Sequence, residues 1–232
     1  MDEKYFPFPA CMTTMPPPRL LLFFVALTLL VVLVQFGLVT VAFEKLGLSQ
    51  ESAYLLLLCT LVGSMINLPL FTLRGDTSGA PKIPPHLMRW AFFKIPDVTD
   101  KILIVVNVGG AVVPVAFSLY LIGHNPLNPL HIAIGVAVVA ILAAAISRPI
   151  PGTGIGMPMR IAPFVAAMIA TLLDPEQRAP LAYIGGTLGV LIGADLMHLD
   201  DIRKLGRPVA SIGGAGTFDG VFITGLLAVL LA

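Results

Sequence analysis

The sequence predicts an all-α, polytopic membrane protein with about seven transmembrane helices. Of its 232 residues, 57% are hydrophobic and only 12% are charged, and the mean hydropathy is +0.94. An ordinary soluble domain carries about 25% charged residues, so a soluble fold could not bury this much apolar surface. The apolar residues also form long runs, and a helix needs about 20 of them to cross the hydrocarbon core. We therefore expect a multi-pass membrane protein.

Seven apolar runs give the predicted spans, at residues 19–43, 52–73, 102–123, 129–147, 156–173, 180–199 and 210–232. The first run is too long for the apolar region of a signal peptide and has no clear cleavage site, so we interpret it as an anchor. The fifth span is the weakest. It contains Pro158, Arg160 and Pro163, and its continuous apolar part, Ile161–Leu173, has only 13 residues.

The basic residues predict the orientation of the chain. With seven spans, one side of the membrane carries 12 of the 14 Lys and Arg residues, and the other side carries Lys45 and Arg178. Without the fifth span, the division becomes 10 and four. Cytoplasmic loops are enriched in Lys and Arg, so we expect seven spans, a cytoplasmic N-terminus and a C-terminus outside.

The segments between the spans predict one membrane domain with a short head. Residues 1–18 contain five prolines and form the predicted Pro-rich cytoplasmic head, and residues 19–232 form a single helical membrane domain. The longest connection, residues 74–101, is predicted to be cytoplasmic. Its stretch 86–94 mixes aromatic, apolar and basic residues, which is typical of an interfacial helix; a packed loop is the alternative.

Two of the thirteen acidic residues lie inside apolar runs. Asp195 falls in the sixth predicted span and Asp219 in the seventh. An ionisable residue there costs about 2.5–3.5 kcal/mol on insertion and marks a functional site by default. Because the two spans are consecutive and antiparallel, both acids are predicted in the cytoplasmic half at similar depth. Helix capping is the alternative role, and a half-helix behind a Gly-rich re-entrant turn stays open for Asp219.

Small residues recur at every fourth position along these two spans: Gly185, Gly189 and Gly193, then Gly216, Gly220 and Thr224. Such spacing lets transmembrane backbones approach closely. Asp195 lies about 120° from the centre of its glycine stripe around the helix. We therefore expect the stripe to face another helix while Asp195 faces a cavity.

Two carboxyl groups a few ångströms apart can hydrolyse a peptide bond. They cannot easily both ionise, so one keeps a proton and the pair titrates as a unit. The ionised acid takes a proton from water while the protonated one polarises the scissile carbonyl. Asp195 and Asp219 are therefore the predicted catalytic residues, and neither a cofactor nor a metal ion is expected.

Two motifs carry a resemblance to known proteins: Gly193-Ala194-Asp195 and Gly213-Gly214-Ala215-Gly216-Thr217-Phe218-Asp219-Gly220. Through these motifs, the whole chain resembles an uncharacterised family of prokaryotic polytopic membrane proteins, which implies a location in the prokaryotic inner membrane. Over spans six and seven, the same motifs remotely resemble the intramembrane aspartyl proteases of the presenilin and signal-peptide-peptidase type. The second resemblance implies cleavage of membrane-embedded peptides by a two-aspartate dyad.

Other functions remain open at this stage. The same aspartates could act as a relay in a proton- or ion-coupled transporter or channel. Asp195, His198 and Asp201 follow one another at intervals of three residues, which could also suit a divalent metal ion. The expected partners are membrane lipids and a transmembrane peptide or protein substrate. The near-balanced net charge of +1 gives no indication of a nucleic-acid partner.

Overall fold

A computed structural model describes residues 37–75, 101–150, 154–158, 160–203, 209–214 and 220–232. The chain divides into two units, Met1–Leu38 and Val39–Ala232, and nearly all described residues belong to the second. The predicted Pro-rich head at 1–18 and the predicted interfacial helix at 86–94 lie outside the described residues.

The described part of the chain is mostly helical. Helix α1 covers Gly37–Lys45 and α2 covers Gln50–Gly63, with a bend of 113° between them. The remaining helices are α3 (Val113–His124), α4 (Pro129–Ile146), α5 (Ile161–Leu173), α6 (Arg178–Val190) and α7 (Gly220–Leu231). After α6, a π-helical turn at Leu191–Asp195 and a 3-10 turn at Leu196–His198 lead into one helical turn, Leu199–Ile202.

Membrane-spanning length is reached by only some of the helices. Among the described residues, α4 and the continuous segment Arg178–Ile202 are long and apolar enough to cross a membrane, and a third span results if the bent α1–α2 pair counts as one. Helices α5 and α7 are apolar but shorter. The predicted spans 129–147 and 180–199 therefore correspond to helices of sufficient length, whereas the part of the chain that the structure describes, which excludes most of the predicted span 19–43, does not show seven full helical spans.

The all-α prediction is wrong for five short segments, which are strands. Strands β1 (Asn67–Arg74) and β2 (Lys101–Asn107) pair antiparallel. Strands β3 (Arg148–Ile150) and β4 (Gly154–Gly156) form a hairpin. Strand β5 (Val209–Ile212) pairs parallel with β2. The larger sheet has the order β1-β2-β5. These strands replace the end of the second predicted span and the starts of the third and seventh.

Strand β2 shows why the prediction was wrong there. Its residues Ile102–Val105 are buried, and it lies between the other two strands of its sheet. A strand covered on both faces reads as a continuous apolar run, which periodicity alone cannot distinguish from a buried helix. The β-branched residues in Ile102–Val106 were the available signal for a strand.

Helix α6 packs on α4 through the predicted glycine stripe. A Cβ on Gly185 would lie 3.5 Å from the backbone of Gly135, and a Cβ on Gly189 would lie 2.6 Å from the Cβ of Val139. At Gly193, a Cβ would overlap the carbonyl oxygen of Ala140. The expectation that this stripe faces another helix is confirmed, and the helix is α4.

Helix α4 starts at an Asn-Pro pair. Asn128 is the N-cap residue, and its Oδ1 accepts a hydrogen bond of 2.9 Å from the backbone N–H of Leu130. Pro129 occupies the first helical position, where its missing N–H costs nothing. Asn128 lies at the start of α4, whereas Ala140 and Ala143, which a Cβ on Gly193 would meet, lie near its end. The Asn128 cap is therefore remote from Gly193.

Candidate functional site

Asp195 lies where the regular α-helix of α6 has already ended. It is the last residue of the π-helical turn Leu191–Asp195, and its side chain is half-buried. Its Oδ2 accepts a hydrogen bond of 2.7 Å from the backbone N–H of Gly213. Because π-turns of this kind occur frequently at functional sites, the local backbone supports a special role for Asp195.

Gly213 belongs to a turn that only glycine adopts readily. Gly213 and Gly214 have φ angles of +78° and +82°, a region that L-residues with a Cβ rarely occupy. The turn follows directly on β5, so the strand delivers the Gly213 N–H to Asp195. Gly213 is also buried, and a Cβ there would lie 2.6 Å from the Cβ of Ala111.

The Gly213 turn packs against the segment that connects β2 to α3. Here the chain passes from strand to a π-helical turn, Val108–Val112, before α3 begins. A Cβ on Gly110 would overlap the carbonyl oxygen of Gly213, and a Cβ on Gly109 would overlap the carbonyl oxygen of Thr60. These two glycines therefore let the segment touch both the Gly213 turn and the end of α2.

Asn107 is a buried residue that caps the π-helical turn Val108–Val112. Only 1% of its surface is exposed. Its Oδ1 accepts a bond of 2.7 Å from the N–H of Gly110, and its Nδ2 donates to the Ser64 carbonyl at 2.7 Å and to Asn67 Oδ1 at 3.2 Å. Ser211 of β5 donates to the same Asn67 oxygen at 3.2 Å. All three strands of the larger sheet thus share one polar cluster, Asn67–Asn107–Ser211.

A second side chain supports the π-turn that carries Asp195. His198 is buried, and its Nδ1 lies 3.0 Å from the carbonyl oxygen of Gly193. Since a carbonyl oxygen only accepts, Nδ1 carries the proton and donates. In the described part of the chain, no three His, Cys, Asp or Glu side chains are grouped as a metal site would require.

Helices α6 and α7 run antiparallel with a regular offset. Pro180 and Ala232 line one cavity. Thr187 lies seven residues after Pro180, and Gly225 lies seven residues before Ala232. A Cβ on Gly225 would overlap the hydroxyl of Thr187. If the same offset continues to the first residue of α7, it predicts that Gly220 lies level with Ile192 in the π-turn.

The two predicted site residues differ in what the structure describes. Asp195 is placed against the glycine turn, as above. Asp219 lies outside the described residues, directly before Gly220 in the sequence. The seventh predicted span is corrected here, because α7 begins at Gly220 and has 12 residues, about 18 Å of helix. The half-helix alternative for this segment therefore fits the structure better than a continuous helix from residue 210.

Sequence reasoning missed part of the site. Asn107, Gly109 and Gly110 lie in the third predicted span, where they suggest only a polar kink, and the structure alone shows that Gly110 touches Gly213 and Gly109 touches α2. The available signal was an Asn at the end of a β-branched run, because Asn is a common capping residue. One residue further on, two glycines follow, and glycines allow close backbone approach.

Comparison with known sequences gives the family. Residues 61–231 match the sequence profile of a family described as "Protein of unknown function (DUF1614)". The chain belongs to the DUF1614 family. The matched region of this DUF1614 protein begins within α2 and contains both predicted catalytic aspartates, the three-stranded sheet and the Asn107 cluster. No curated protein and no solved structure matches the chain, so the likeness to presenilin-type proteases rests on motifs alone.

Proposed function

We propose that this DUF1614 protein is an intramembrane aspartyl hydrolase, a protease whose catalytic pair is Asp195 and Asp219. The observation that carries the proposal is the hydrogen bond of 2.7 Å from the Gly213 N–H to Asp195 Oδ2. It attaches the glycine motif that leads to Asp219 directly to the carboxyl group of Asp195. We propose on this basis that the two acids, which are 24 residues apart in the sequence, act together.

The offset between α6 and α7 supports the same pairing. Continued to the start of α7, it predicts Gly220 level with Ile192, and Asp219 is the residue that precedes Gly220. On this register and the Gly213 bond, we propose that the segment containing Asp219 lies next to the π-turn of Asp195. We therefore propose that the two carboxyl groups share one water molecule.

In the proposed reaction, both carboxyl groups act on that water molecule and the peptide bond. The ionised carboxylate removes a proton from water, and the oxygen attacks the carbonyl carbon. The protonated carboxyl group gives its proton to the carbonyl oxygen, which forms a tetrahedral gem-diol. When the C–N bond breaks, the nitrogen leaves with the proton that the first carboxylate took from water, and the second carboxylate recovers its proton from the gem-diol.

The proposed substrate is a membrane-spanning peptide presented in extended form. Within the described residues, β5 is the last strand of its sheet and ends at the turn that binds Asp195. An extended peptide can add to such an edge through main-chain hydrogen bonds. We propose a multi-pass location in the inner membrane, with the cytoplasmic end of the bundle at Asp195 and lipids around the apolar helices.

The test of this function is cleavage that an aspartyl-protease inhibitor blocks. The purified protein in detergent should cleave an internally quenched peptide with one apolar segment of about 20 residues. A hydroxyethylene peptide, which mimics the gem-diol and cannot be cleaved, should inhibit it competitively. If the protein neither cleaves any of a panel of such peptides nor is labelled by a photoreactive hydroxyethylene peptide, the proposal is wrong.

A proton or ion relay is the second candidate, and one observation favours it. The hydroxyls of Thr187 and Thr224 are fully buried between α6 and α7 and have no hydrogen-bond partner of standard geometry within the described residues. The Tyr183 hydroxyl, also buried, makes a looser contact with Thr187. Buried polar groups along a path from Asp195 suit a relay. Proton uptake by proteoliposomes that is lost in T224V, without any peptide cleavage, would favour this candidate over the protease.

A further inference from the structure

The Asn107 cluster connects to the proposed catalytic pair by two routes. On the first route, Asn107 Oδ1 holds the Gly110 N–H at 2.7 Å, and Gly110 touches the Gly213 carbonyl so closely that no Cβ would fit. Gly213 in turn donates its N–H to Asp195. Asn107 therefore reaches Asp195 through two glycines, Gly110 and Gly213, whose backbones are in contact.

The second route passes through the sheet. Asn107 Nδ2 donates to Asn67 Oδ1 in β1, and Ser211 Oγ in β5 donates to the same oxygen. Ser211 lies two residues before Gly213. The cluster thus fixes β5 relative to β2 at the point where β5 delivers the Gly213 N–H to Asp195.

Resting on the proposed function, we propose that Asn107 is a positioning residue for the Asp195–Asp219 pair. Its proposed effect on Asp195 passes through Gly110, Ser211 and Gly213. An ordinary helix cap would use only the bond to Gly110 N–H. Asn107 instead uses both ends of its amide, inside the protein, and joins the turn at Gly110 to Ser64 after α2 and to Asn67 of β1.

The experiment compares N107A with N128A. Both changes remove an Asn that caps a helical segment, but Asn128 caps α4 at the end remote from Asp195. N107A should lower kcat about 10- to 100-fold with KM changed about twofold or less, because a misplaced catalytic group lowers turnover more than binding. N128A should leave both constants unchanged. N107D keeps the acceptor for Gly110 but turns a buried carboxylate oxygen towards two acceptors, the Ser64 carbonyl and Asn67 Oδ1, so it should lower kcat at least as much as N107A.

A readout independent of cleavage is the amide proton of Gly213 in protein labelled with 15N-glycine. Its hydrogen bond to a carboxyl oxygen should shift the resonance downfield, and N107A should move it upfield while N128A leaves it in place. If N107A does not fold, S211A tests the sheet route with the same two readouts. The inference is wrong if N107A or S211A leaves both kcat and the Gly213 resonance unchanged. If the wild type cleaves nothing, the proposed function fails, but the resonance still decides whether Asn107 positions Gly213.

Discussion

Replacing Asp195 or Asp219 with Asn is expected to abolish peptide cleavage. Asn has the shape of Asp but can neither take a proton from water nor give one to the carbonyl oxygen. General acid–base groups contribute about 10²- to 10⁴-fold each, so D195N and D219N should each lower kcat by at least that factor. In D195N, the side-chain oxygen can still accept the Gly213 N–H, so the thermal unfolding temperature should change little.

The matched control for this change is D174N. Asp174 follows α5, at the opposite end of α6 from Asp195, and its Oδ1 accepts the N–H of Gln177 at 3.1 Å. Asn can make the same bond, so D174N carries the same chemical change away from the site. It should cleave at the wild-type rate. Full activity in both D195N and D219N would show that these carboxyl groups do not perform the chemistry.

The second large effect is expected at Gly110. A Cβ there would overlap the carbonyl oxygen of Gly213, and this oxygen belongs to the backbone, which cannot rotate away as a side chain can. We expect G110A to destabilise the protein by about 1–3 kcal/mol, as overpacking of a buried site does. It should also lower kcat about 10- to 100-fold, since the turn that has to move is the one that binds Asp195.

G123A provides the comparison for G110A. Gly123 lies in α3, and a Cβ there would meet nothing within 4 Å. Ala is the better helix former by about 1 kcal/mol, so G123A should raise the unfolding temperature and leave cleavage unchanged. Differential scanning fluorimetry in detergent measures the first effect and the quenched-peptide assay the second. Equal stability and activity of G110A and G123A would mean that Gly110 and Gly213 are not in close contact.

The sequence singles out the two aspartates because an acid within an apolar run has a high cost that only function or a special environment explains. The structure places Asp195 against the Gly213 turn, whereas the role of both acids stays a prediction. The glycine stripe of α6 was predictable for a similar reason, since four-residue spacing of glycines has one common physical use. Which helix the stripe contacts was not predictable: Gly135, Val139 and Ala140 of α4 carry no comparable pattern.

The strands and the Asn107 cluster could not be derived in the same way. Ile102–Val106 is apolar on both faces, so its hydropathy fits a membrane helix as well as a central strand. Asn67, Asn107 and Ser211 are far apart in the sequence, and each is unremarkable there as a small polar residue at the edge of an apolar run. Their shared hydrogen bonds exist only because β1, β2 and β5 form one sheet.

The central claim is that Asp195 and Asp219 lie side by side, and disulfide formation tests it most directly. In protein without Cys11 and Cys59, D195C/D219C should form a disulfide under mild oxidation, because a disulfide requires Cα atoms within about 7 Å. G186C/A228C serves as the positive control, since a Cβ on Gly186 would lie 3.5 Å from the Cβ of Ala228. The account predicts that both pairs cross-link at similar rates. Cross-linking of G186C/A228C without any of D195C/D219C would contradict it.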